Sequence, residues 1–179
     1  SFILMALYNI QDYIENPFFV IYSKLMMKKL LILSNLPTKN TEILLYETQK
    51  GAKSIESNNI KILACDAREV DHNHILDSAG IIIGTTENLG YMSGIIKDFF
   101  DRNYYHCIDK TNGMPYAIYI RAGHDGTGTE VNIKRIITGL KWKEVQKPLI
   151  LKGSWNDNFK DQCFHLGATI AAGLDANIY

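Results

Sequence analysis

From residue 27 onward, short apolar runs alternate with longer stretches in which apolar residues recur every three or four positions. The runs are Lys29–Leu33 (KLLIL), Ile60–Ala64 (IKILA), Gly80–Thr85 (GIIIGT), Tyr116–Ile120 (YAIYI) and Val145–Leu151. Runs of this length with little polar alternation suit strands buried on both faces. Helical spacing falls between and after them, over Asn40–Ser54, Asp71–Ala79, Ser93–Tyr104, Thr127–Leu140 and Asn158–Leu174. The order βαβαβαβαβα predicts a doubly wound α/β domain: a five-stranded parallel sheet with helices on both faces. The expected strand order is 2-1-3-4-5, with Pro148 pointing to an edge position for the fifth strand. Ligands of such sheets sit beyond the carboxyl ends of the strands, near the switch between strands 1 and 3.

Residues 1–26 break the pattern. They form an apolar extension, SFILMALYNIQDYIENPFFVIYSKLM, ahead of a domain spanning 27–179. Its apolar runs, Phe2–Tyr8 and Phe18–Tyr22, fall far short of the ~20 residues that cross a membrane, so no membrane insertion is expected. No basic segment precedes the first run, which argues against a secretory signal. Helix is expected at most up to Glu15, because Pro17 disfavours it at Asn16. So much apolar surface is expected to lie against the domain or a neighbouring copy.

Charge narrows the classes. Lys plus Arg and Asp plus Glu number 19 each, so the formal net charge is zero. A nucleic-acid binder normally carries a basic excess, and none is expected as a partner. Three cysteines, Cys65, Cys107 and Cys163, include no CxxC pair, and their odd, sparse count fits a reducing cytoplasm. Cys65 and Cys163 read as core positions, and Cys107 as the more exposed one. The densest group of metal-ligand types is Asp71-His72-Asn73-His74 with Asp77. Histidines two apart do not share a helix face, so Asp71 reads as a helix cap and no metal is expected.

Three segments follow strands 1, 3 and 4 at the rim where a ligand would lie. Ser34-Asn35-Leu36-Pro37-Thr38-Lys39-Asn40-Thr41 sets hydroxyls, an amide and a lysine around a helix N-terminus, whose unpaired N–H groups and dipole favour an anion. It lacks the glycines of a Walker A loop. Thr85-Thr86-Glu87-Asn88-Leu89-Gly90-Tyr91-Met92-Ser93-Gly94 reads as a ten-residue loop, longer than a plain connection needs. Its backbone can wrap a planar ring while Tyr91 or Met92 packs on a face. Ala122-Gly123-His124-Asp125-Gly126-Thr127-Gly128 has three glycines that let backbone approach a ligand. It is not the dinucleotide fingerprint, in spacing or in place.

Together these segments resemble the flavodoxin-like flavoproteins over about residues 27–175. Pro37-Thr38-Lys39-Asn40-Thr41 looks like the family's phosphate loop, with Lys39 at its usual glycine and Leu36 where a hydroxyl is common. Thr85 to Gly94, followed by Ile95-Ile96-Lys97-Asp98-Phe99-Phe100-Asp101-Arg102, is similar to the family's second flavin loop and its K-x-F-x-D-R-like helix. This match and Leu166–Leu174 resemble the NAD(P)H-dependent FMN reductase and quinone reductase branch.

The resemblance implies a flavodoxin-like fold, FMN as cofactor, NADH or NADPH as electron donor and a small-molecule flavin or quinone-type acceptor. The phosphate is then expected on Ser34, Thr38, Lys39, Asn40 and Thr41. Residues 85–94 would flank the isoalloxazine, and backbone N–H groups of Gly123 to Thr127 would face its N1/O2 edge. Tyr91 and Trp155 are candidates to shield a ring face, and His124 to donate to the reduced ring. Lys39 either adds charge opposite the phosphate or distorts the turn. A homodimer or higher homo-oligomer is expected, with Tyr104, Tyr105, Trp155 and the apolar extension as its surfaces. The alternative is a flavodoxin-type carrier without substrate turnover, which the neutral charge disfavours. A signalling receiver domain would need acidic residues where the chain has Ser34-Asn35 and Thr85.

Overall fold

A computed structural model describes residues 27–179. The apolar extension, its expected helix and its part in a dimer lie outside the described residues. The strands are β1 (Lys28–Ser34), β2 (Ile60–Asp66), β3 (Gly80–Asn88), β4 (Tyr91–Met92), β5 (Pro115–Ala122), β6 (Lys143–Glu144) and β7 (Leu149–Lys152). The helices are α1 (Lys39–Lys53), α2 (His72–Leu76), α3 (Gly94–Cys107), α4 (Thr127–Leu140) and α5 (Asn158–Asp175), with a 3-10 turn at Ala67–Glu69.

The sheet runs β2-β1-β3-β5-β6, with β7 also pairing β5, and these pairs are all parallel. The expected order 2-1-3-4-5 therefore holds, the fourth run being β5. Of the expected fifth strand, Val145–Leu151, the end forms β7, while β6 closes at Glu144 just before its start; both short strands pair with β5. Pro148 lies in the gap, where its missing N–H removes a ladder bond.

Alternate residues of each central strand feed opposite layers. Leu31, Leu33, Ile81, Ile83, Ile118 and Ile120 pack with α3 and α4 through Ile96, Phe99, Phe100, Ile133 and Ile137. Leu30, Ile32, Ile82, Ala117 and Tyr119 pack with α1 and α5 through Leu44, Ala52, Cys163, Leu166 and Ile170. Burial on both faces explains why these strands read as continuous apolar runs.

Candidate functional site

The carboxyl ends of β1, β3 and β5 are adjacent, so the three segments after them share one rim. The floor beneath them is a row of three paired residues, Ser34, Gly84 and Tyr119. Ser34 and Tyr119 are each 1% exposed. Gly84 leaves room for the Tyr119 ring to lie across β3: a Cβ on Gly84 would fall 2.1 Å from Tyr119 Cζ and 2.6 Å from Ser34 Oγ. Among the described residues the Tyr119 hydroxyl meets no hydrogen-bond partner, and its burial pushes its pKa upward. The Ser34 hydroxyl donates to the Asn35 carbonyl at 3.1 Å. Ser34 thus supports the turn from below rather than opening onto it.

Above this floor, α1 begins with a capping box. The Thr41 N–H donates to Thr38 Oγ1 at 3.4 Å, and the Thr38 N–H donates to Thr41 Oγ1 at 3.1 Å. The N–H groups of Lys39 and Asn40, at the first two helical positions, have no acceptor within the helix by geometry. Thr38 is extended at φ −146, and Lys39 has no positive φ. Lys39 thus sits in ordinary helical backbone at the first position of α1. The Lys39 ammonium pairs with Glu42 at 3.0 Å on the exposed surface.

The segment after β3 departs from expectation. Residues 85–94 are not an open loop, because β3 runs on to Asn88 and the chain returns antiparallel as β4, pairing Glu87 with Met92 and Asn88 with Tyr91. Leu89 and Gly90 form the two-residue turn with φ of 54° and 73°, as hairpin turns with two positive φ values require. Thr85, Met92 and Ser93 are buried framework. Thr85 Oγ1 accepts from the Ser93 N–H at 3.2 Å, and Ser93 Oγ caps α3 by accepting from the Ile96 N–H. Thr86, Glu87, Asn88, Leu89, Gly90, Tyr91 and Gly94 keep exposed or half-exposed positions.

Two sets of hydrogen bonds tie the rim together. Asn35, only 2% exposed, donates from Nδ2 to Thr86 Oγ1 at 3.0 Å and accepts from the Thr86 N–H at 2.9 Å. This reciprocal pair locks the turn after β1 to the hairpin. Asn35 is a residue that sequence reasoning did not single out, although an amide directly after the first strand was the available signal. The second set is Glu87, whose carboxylate accepts from the His124 N–H at 2.8 Å and the Gly126 N–H at 3.1 Å.

The turn after β5 differs from expectation for the same reason. Of the amides from Gly123 to Thr127, His124 and Gly126 are taken by Glu87, and Thr127 donates to Asp125 Oδ1 at 2.9 Å. The Thr127 backbone N–H and side chain hold the Asp125 carboxyl below the usual carboxylate range. Ala122 and Gly126 are buried, while Gly123, His124, Asp125 and Thr127 are exposed. Gly128 abuts the hairpin, for a Cβ there would stand 2.2 Å from the Gly90 carbonyl oxygen. Hairpin and turn are thus in direct contact. Trp155 is half-buried, edge-on to Phe159, and Tyr91 is 36% exposed.

The helix similar to K-x-F-x-D-R has a structural explanation. Lys97 pairs with Asp101 and Arg102 with Asp98 along α3. Arg102 also donates to the Val70 carbonyl at 2.8 Å and the Ala67 carbonyl at 3.1 Å, docking α3 onto the 3-10 turn. Asp71 caps α2 as expected, accepting from the His74 N–H at 3.1 Å. Cys107 is buried rather than exposed, because α3 turns it into the α3/α4 layer. No metal-ligand group of three or more is found among the described residues, nor a helix long and apolar enough to cross a membrane.

This architecture is a flavodoxin-like fold. No family model matches the chain. A flavodoxin of Aquifex aeolicus (strain VF5) is 27% identical over 114 residues, which are 64% of this chain and 60% of that one. The chain thus aligns with rather under two thirds of that relative's length. Among solved structures, a flavodoxin from the domain Archaea superposes with a TM-score of 0.69 at 17% identity, covering 82% of this chain and 98% of the other. The rubredoxin oxygen:oxidoreductase of Desulfovibrio gigas superposes with a TM-score of 0.68 at 14% identity, over 97% of this chain and 41% of that larger one.

Proposed function

We propose that this protein binds FMN at the carboxyl rim and works as an oxidoreductase, passing electrons from NADH or NADPH to a small flavin or quinone-type acceptor. One observation carries the reading. A helix N-terminus rich in hydroxyls, Thr38 to Thr41, with the unbonded amides of its first turn, stands at the same rim as the hairpin after β3 and the turn after β5. The donor set fits a phosphate monoester: the Lys39 and Asn40 N–H groups, the Thr38 and Thr41 side chains, the positive end of α1 and the Lys39 ammonium. Ser34 and Asn35 hold that set in place from beneath and beside it.

At the ring end the fit is conditional, because hairpin 85–92 and turn 122–128 touch. A ring lodged between them needs the two to part. Tyr91 on the hairpin is the exposed aromatic available to cover a ring face. Bound FMN supplies the hydride and electron chemistry, while the protein supplies orientation, exclusion of water and electrostatics. Exposed His124 borders the turn, where it can hold a proton near a reacting acceptor.

A flavodoxin-type carrier is the second reading, favoured by the flavodoxin whose chain is matched almost end to end. The zero net charge favours turnover over docking through a single-sign field. Titration of the purified protein with FMN, followed by flavin fluorescence quenching, tests the common part. Quenching to a 1:1 endpoint is expected, and no quenching at micromolar flavin rejects it. NADH or NADPH oxidation with a quinone acceptor then separates the readings, since a pure carrier shows almost none.

A further inference from the structure

We infer that Glu87 is a latch that competes with the flavin for the backbone amides of the turn after β5. The inference rests on the FMN reading and adds how access to that site is controlled. Glu87 lies on β3, one residue beyond Thr86, which Asn35 fixes to the turn after β1. The carboxylate is thus delivered from a strand rather than from a free loop. Its two oxygens take the His124 and Gly126 N–H groups at 2.8 and 3.1 Å. Gly126 is the N-cap of α4 and offers no side chain; Asp125 takes the Thr127 N–H, and Glu87 adds a second carboxylate at this helix start.

The same contact closes the crevice. Glu87 joins hairpin to turn across 37 and 39 residues of sequence, and the Gly90 carbonyl packs against Gly128 beside it. A planar ligand presenting acceptor oxygens to these amides must displace the carboxylate first. Hydrogen bonds to a charged group are among the stronger ones, so the latch lowers both the rate and the affinity of entry. Because the competing group is part of the chain, its effect is independent of concentration. It acts as a fixed fraction of closed molecules that the ligand has to overcome.

The test combines amide exchange with FMN titration on wild type, E87A, E87Q and the surface control D109N. Among the described residues Asp109 pairs with Lys141 at the opposite end of the sheet, so D109N makes the charge change of E87Q away from the rim. Without flavin, the His124 and Gly126 amides should exchange at least tenfold faster in E87A than in wild type, and added FMN should restore their protection. E87A should bind FMN at least tenfold more tightly, mainly through faster association, with E87Q between and D109N unchanged. Equal association rates and affinities in E87A and wild type, or no FMN-induced protection of these amides in E87A, would overturn the latch while leaving FMN binding intact. Absence of FMN binding in every variant would overturn the cofactor reading and the latch with it.

Discussion

Gly84→Ala is the most direct probe of the floor beneath the rim. The added methyl would stand 2.1 Å from Tyr119 Cζ, 2.2 Å from its hydroxyl oxygen and 2.6 Å from Ser34 Oγ. Ordinary carbon contacts begin near ~3.5 Å, so the ring has to move by roughly 1.4 Å. It has nowhere to go, because Tyr119 is 1% exposed and packed among Leu30, Ile32 and Cys163. Overpacking of this kind costs up to about 3 kcal/mol. Replacing glycine within a strand returns about 0.5–1 kcal/mol, leaving a net loss of about 2 kcal/mol. Tyr119→Leu removes the obstructing ring atoms together with the hydroxyl. The G84A/Y119L pair should therefore lose less than the two single variants added together, with a coupling of about 1.5 kcal/mol or more. Urea unfolding followed by circular dichroism, with equal m values across the series, measures all four corners. A G84A protein within about 0.5 kcal/mol of wild type, or strictly additive single changes, would show that the ring does not occupy this space.

Two further expectations follow from groups away from the rim. Arg102→Ala should lower stability by about 1–2 kcal/mol, discounted for the arginine's partial exposure, by freeing the Val70 and Ala67 carbonyls. It should leave the FMN dissociation constant unchanged, and a large loss of affinity would return this helix to the cofactor site. Cys163 is held neutral by burial, its pKa pushed from 9.0 to about 12. The unfolded chain gives up this proton first, so the stabilisation is complete below pH 9 and is lost as pH rises from 9 towards 12. Cys163→Ala should flatten the fall in stability over that range, read from unfolding midpoints at stepped pH. An unchanged slope would contradict it.

The central strands were legible because Leu30–Leu33, Ile81–Ile83 and Tyr116–Ile120 are buried on both faces, which writes burial directly into composition. The start of α1 was legible for a similar reason, since a capping threonine with another three residues on is a local signal. The hairpin was not. Thr86, Glu87 and Asn88 are polar strand residues beyond the core, and a leucine at φ 54° is a rare occupant of a hairpin turn. The bonds from Glu87 to His124 and Gly126 join segments far apart in sequence, so no local spacing reports them. Arg102 has a structural task that its local sequence does not announce: it binds two carbonyls of a neighbouring turn, more than thirty residues back along the chain.

The interruption at Pro148 bears on how the molecule behaves in a crowd. Among the described residues, one margin of the sheet offers the two-residue β6 and the four-residue β7, parted by an imino acid without a donor. A foreign strand aligning there would find too short a ladder to bond along, and a bend where its middle should rest. That flank is thereby guarded against the edge-to-edge stacking by which sheet proteins clump.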